Sequence, residues 1–157
     1  MSAMSDPYIA CAWIVGAVNV VAGAVGLAMW ALNRPARPFW WLARTGQGVA
    51  AAYAVFAGVY AAAATPPAEG LAWVYILTPV AVTYFAEQLR LIAAQTVLER
   101  HGYASAAALR EAVVGGDADA ERRATGIANE VLLRELAIIA TAAGVIAFLA
   151  WRAVLTG

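Results

Sequence analysis

Residues 8–32 read YIACAWIVGAVNVVAGAVGLAMWAL, and Asn19 is the only strongly polar side chain among them. Roughly 25 such residues, helical at about 1.5 Å each, cross a hydrocarbon layer about 30 Å thick with some tilt. A cleaved signal peptide is the competing reading. It requires a basic leader, whereas Met1 to Pro7 carries only Asp6 as a charge. The stretch therefore reads as a permanent spanning helix.

Three more apolar stretches follow. The second, about residues 39–64, is rich in alanine and carries Arg44, Thr45 and Gln47 near its start. Thr65-Pro66-Pro67-Ala68-Glu69-Gly70 then supplies the prolines and glycine that stop one helix before the next. The third, about 71–92, is uncharged to Ala86 and then meets Glu87, Gln88 and Arg90. The fourth, about 132–152, is uncharged from Leu136 to Ala150, with Arg134 and Glu135 just before that run. Composition agrees: of 157 residues, 64% are hydrophobic and 13% charged, against about 45–50% and about 25% in soluble domains. The expected fold is all-α. It is a polytopic membrane protein whose single domain (residues 1–157) is an antiparallel bundle of four transmembrane helices, the third and fourth extended into the cytoplasm.

Orientation follows from arginine, since the chain has no lysine. Arg34 and Arg37 lie between the first two stretches, and Arg100, Arg110, Arg122 and Arg123 between the last two. The opposite side holds Arg152 alone. The positive-inside rule makes both basic connections cytoplasmic and leaves both termini outside, in a bacterial-type inner (plasma) membrane. Tyr8, Trp13, Tyr60, Trp73 and Trp151 would then belt the outer interface, and Trp30, Trp40 and Trp41 the inner one.

The connection about 95–130 is too long for a simple bundle loop. The third helix can run to His101-Gly102, where glycine suits the left-handed position after a helix. Ser105 is a candidate N-cap for a short helix through Ala112, ended by Gly115-Gly116. Asp117, Asp119 and Glu121 favour a new helix N-terminus. Only Gly126 and Gly144 interrupt the pattern before Trp151, so the fourth helix should be one continuous rod.

Counting about 20 residues inward from Leu71 puts Glu87 about 6 Å inside the cytoplasmic edge. The same counting brings Arg44, Gln47, Gln88, Arg90, Arg134 and Glu135 to one depth. Ionisable groups so placed are costly and usually face the bundle, paired with one another. Helical spacing aligns Arg44, Gln47, Ala51, Ala54 and Gly58 on the second helix, and Gly16, Asn19, Gly23, Gly26 and Trp30 on the first. On the third, Thr83, Glu87 and Arg90 align; on the fourth, Glu130, Arg134 and Thr141. Two readings stand. The layer is a binding or transport site for a small polar solute or ion, or it is a structural network with Arg90 and Arg134 snorkelling to water. Pro79, preceded by Thr78, kinks the third helix as a hinge or statically. Asn19 lines a polar path or bonds between helices.

His101 at a helix end favours the dipole there rather than catalysis. Cys11 reads as a small apolar filler, and the acidic cluster lacks calcium-loop spacing. With one cysteine and one histidine, no metal site, no cofactor and no catalytic motif is expected. The formal charge of zero argues against nucleic acid. The expected partners are the lipid bilayer and further copies of the chain in a homo-oligomer. The alternative function is an accessory or assembly subunit that docks a membrane or cytoplasmic protein through the helical connection.

Overall fold

The computed structural model describes residues 6–64, 66–67, 70–115 and 118–156, so parts of the expected 65–70 turn, Gly116 and Asp117 lie outside the described residues. Within them the chain is helical and forms no strand: α1 (Asp6–Ala31), α2 (Arg37–Ala63), α3 (Gly70–Arg100), α4 (Ala106–Val114) and α5 (Ala118–Thr156). Segments 7–31, 37–63, 70–100 and 121–155 are each long and apolar enough to cross a membrane.

Local chemistry explains the ends. Beyond α1, Asn33 adopts the left-handed conformation (φ 50°), which asparagine tolerates better than most residues, and Arg34 N–H closes back on Met29 O at 3.0 Å. Pro38 sits in the first turn of α2, where a missing N–H costs nothing. The end of α3 repeats the device: Gly102 has φ 81°, and Tyr103 N–H donates to Leu98 O at 2.9 Å. Ser105 caps α4 as expected, its hydroxyl accepting from Ala108 N–H at 3.2 Å. The helix runs to Val114, two residues past the expected Ala112. α5 continues unbroken through Gly126 and Gly144. α3 likewise continues through the buried Pro79. Because α4 buries none of its residues, its cap carries much of its local stability. Ser105→Ala should raise amide exchange throughout α4 by about 1 kcal/mol of local opening, with exchange in α5 unchanged.

Small residues fill the centre. α1 lies along α5 where Gly23 brings the backbones together: a Cβ there would sit 3.3 Å from both Ala140 O and Gly144 N. Two clusters form the main core. Tyr8, Val15, Tyr53, Ile76 and Ile146 build one; Phe39, Ala43, Ala86, Leu136 and Ile139 build the other. A third cluster of Val97, Leu98 and Ile127 receives Leu109 of α4. Trp13, Val20, Val55, Val59, Phe85 and Phe148 point outward and are more than half exposed. So many large apolar residues facing outward is an arrangement that lipid tolerates and water does not.

Two expected faces fare differently. Asn19, Gly23 and Gly26 of α1 are buried, although Trp30 is not. In α2 the inward face is Phe39, Ala43, Gly46, Ala50, Tyr53 and Ala57, one residue, or about 100°, from the expected Arg44, Gln47, Ala51, Ala54, Gly58 stripe. Ala51 and Gly58 are exposed, and Arg44 stands at the edge. Periodicity groups residues into faces, but here the Phe39 and Tyr53 rings decide which face turns inward.

Candidate functional site

Glu87 is the centre of a polar cluster built by α2 and α3. Arg44 grips its carboxylate with both terminal nitrogens, Nη1 to Oε1 at 2.8 Å and Nη2 to Oε2 at 3.2 Å. This bidentate geometry combines charge with orientation. Gln47, one turn along α2, donates from Nε2 to Oε1 at 2.9 Å and accepts from Arg44 Nη1 at 2.8 Å. From the next turn of α3, Arg90 Nη2 approaches Oε2 at 3.3 Å. Its guanidinium lies over the Trp40 ring, 5.7 Å from the centroid, within cation–π range. Both carboxylate oxygens are therefore covered. Glu87 is 23% exposed and Arg44 50%, so the cluster opens on its Arg44 side.

The seven residues expected at one depth do not form one group. Arg134 pairs with Glu130, 3.3 Å away and one turn back on α5. Glu130 is the centre of a second cluster: Arg100 reaches Oε1 at 3.0 Å, and His101 Nε2 lies 3.0 Å from Oε2. Glu135 of α5 is half-buried within electrostatic range of Arg90 and Glu87 but makes no ion pair among the described residues, while Gln88 is exposed beside Glu87. The spacing of Glu130 and Arg134 was legible. That Arg100 and His101 would meet Glu130 was not, because it depends on how α3 lies against α5. Trp40, read only as an interface residue, also gains a role in holding Arg90.

The remaining candidates lie deeper. Asn19 is 1% exposed and donates from Nδ2 to Val15 O at 2.9 Å and Gly46 O at 3.3 Å. The second bond ties α1 to α2. Gly46 permits it, since a Cβ there would sit 2.8 Å from Asn19 Oδ1. Thr83 donates to Pro79 O at 2.9 Å, a bond within its own helix. Thr78 is half-buried beside Pro79. Cys11 is a free, half-buried thiol, and no group of metal-ligating side chains occurs among the described residues.

No protein-family model matches the chain, and neither a curated protein nor a solved structure is significantly similar to it. The functional reading therefore rests on the geometry alone.

The larger pockets are surface grooves. One of about 830 Å³ runs between α1 and α5, lined by residues such as Trp13, Gly16, Val20, Ala147 and Phe148. A second, of about 510 Å³, lies between α3 and α5. Where residues of α1, α2, α3 and α5 meet, the cavity measures only about 10 Å³.

Proposed function

We propose that this is a multi-pass integral membrane protein with a non-catalytic role, an accessory or assembly subunit whose charged cluster holds helices together. The four spanning helices run antiparallel in a bacterial-type plasma membrane with both termini outside. The α3 end, α4 and the start of α5 stand in the cytoplasm. Arginine placement supports this orientation. The observation that carries the functional reading is the covered Glu87 carboxylate, to which Arg44, Gln47 and Arg90 all donate. A passing solute would have to displace an arginine from it. The narrow interior supports the same reading, because about 10 Å³ is room for one water-sized probe and no more. The partner is a protein that meets the cytoplasmic connection. α4 supports this, being a capped helix that buries none of its residues and leaves Val114 81% exposed.

Reconstitution tests the proposal. In proteoliposomes the chain alone should pass no alkali cation, proton or chloride. Purified from its native membrane, it should carry a stoichiometric protein partner that is lost when residues 102–116 are replaced by a flexible linker. Ion flux that Glu87→Gln abolishes in a folded protein would overturn the reading in favour of transport. A native preparation holding only copies of this chain would also overturn it.

A further inference from the structure

We infer that Asn19, Gln47 and Thr83 bind one internal water molecule between the spanning helices. The site is the small cavity of about 10 Å³, to which these three residues bring the polar groups and α5 contributes an apolar wall including Ile139 and Ile146. That volume is about one water-sized probe sphere, the smallest cavity that holds a water.

The hydrogen-bond inventory of each side chain identifies the ligand. Both contacts of the Asn19 amide go to backbone carbonyls, Val15 O and Gly46 O, so that atom is the nitrogen and both its hydrogens are spent. Oδ1 is left with its lone pairs and no donor among the described residues, on a side chain only 1% exposed. An amide oxygen kept so far from bulk water without a donor is costly. Thr83 spends its hydroxyl hydrogen on Pro79 O, so toward the cavity it can only accept. Gln47 has no freedom of orientation either. Its oxygen faces Arg44, which only donates, and its nitrogen faces Glu87, which accepts. One hydrogen of Gln47 Nε2 goes to Glu87, and the other remains.

The three side chains that line the cavity thus have two acceptors and one donor left to offer, the complement of a single water. Its two hydrogens go to Asn19 Oδ1 and Thr83 Oγ1, and its oxygen accepts from Gln47 Nε2. Three bonds is the usual number for a buried water. A sodium ion would face the Gln47 N–H and find no charged side chain in the cavity lining. A chloride ion would face two acceptors. Water also continues the polar chain from Arg44 and Glu87 through Gln47 to Asn19, joining α1, α2 and α3.

The full chain in lipid nanodiscs, labelled at glutamine and asparagine side-chain amides, provides the test. Cross-relaxation at the water frequency, with opposite signs in the laboratory and rotating frames, should appear on the Gln47 Nε2 hydrogens and mark a water resident for longer than about a nanosecond. It should be equal in sodium and choline buffers. Thr83→Val, close to isosteric, should shorten the residence or abolish the signal. Asn19→Leu should abolish it, and if that variant does not fold, Thr83→Val decides alone. No water signal on folded wild type overturns the inference. So does a signal unchanged by Thr83→Val, or one that sodium removes.

Discussion

Gly26→Ala should destabilise the protein by about 2–3 kcal/mol, the largest effect expected of adding a single methyl group to this chain. A Cβ at Gly26 would lie 2.5 Å from Phe39 Cε2 and 2.6 Å from the Ala140 methyl. Both neighbours are fully buried, so neither can swing into lipid, and α1 must instead move away from α2 and α5. Real Cβ atoms do not approach so closely, and interiors at crystal-like density take up such strain poorly. Gly23→Ala meets backbone at 3.3 Å and should cost less. Gly48→Ala, with nothing within 4 Å, should be neutral or slightly stabilising, since alanine is the better helix former. Unfolding midpoints of the three variants in one detergent give the ranking. A Gly26→Ala midpoint equal to that of Gly48→Ala would show that α1 does not pack as described.

Glu87→Ala carries the second large effect. It removes the acceptor shared by Arg44, Gln47 and Arg90 at once, leaving two guanidinium groups facing each other across α2 and α3. Breaking a fully buried ion pair costs about 3–5 kcal/mol and breaking an exposed one about 0–1. Glu87 and Arg90 are 23% and 22% exposed and Arg44 is 50% exposed, so the expected loss is intermediate, about 2 kcal/mol. Glu87→Gln, which keeps an acceptor oxygen, should lose about half as much. The decisive measurement is a double-mutant cycle with Arg44→Ala, in which the pair should couple by about 1 kcal/mol. Additive single effects would mean that the bidentate contact holds nothing together. Glu130→Ala, in the more exposed cluster, should cost less than Glu87→Ala.

How much of this was legible in the sequence differs from element to element. The helices were readable because their determinants are local. Runs of apolar residues are long enough to span lipid, Ser105 is a cap, Gly102 takes a left-handed turn, and nothing interrupts α5. The charged residues were also recognisable as a group, since charge in a chain so apolar stands out at once. Their division was not. Arg134 and Glu87 fall at similar counts from the membrane edges, and depth alone puts them together. The direction in which each side chain leaves its helix separates them, and that direction is set by packing.

The rotation of α2 shows the same limit most plainly. Helical periodicity places Arg44, Gln47 and Ala51 on one face and Ala43, Gly46 and Ala50 on the adjacent one, and periodicity alone does not say which of them turns inward. The tertiary structure chooses the second, where the Phe39 and Tyr53 rings pack between the helices and Gly46 lets Asn19 reach across. Arg44 is thereby left at the edge, where it can turn toward Glu87. The sequence by itself determined that the chain is helical, that four of its helices match a membrane in length and polarity, and that most of its charges gather on one side of the apolar stretches. Only the tertiary structure decided which charges meet, because pairing depends on helix rotation and lateral position, and these follow from side-chain shapes that interlock between helices far apart in the chain.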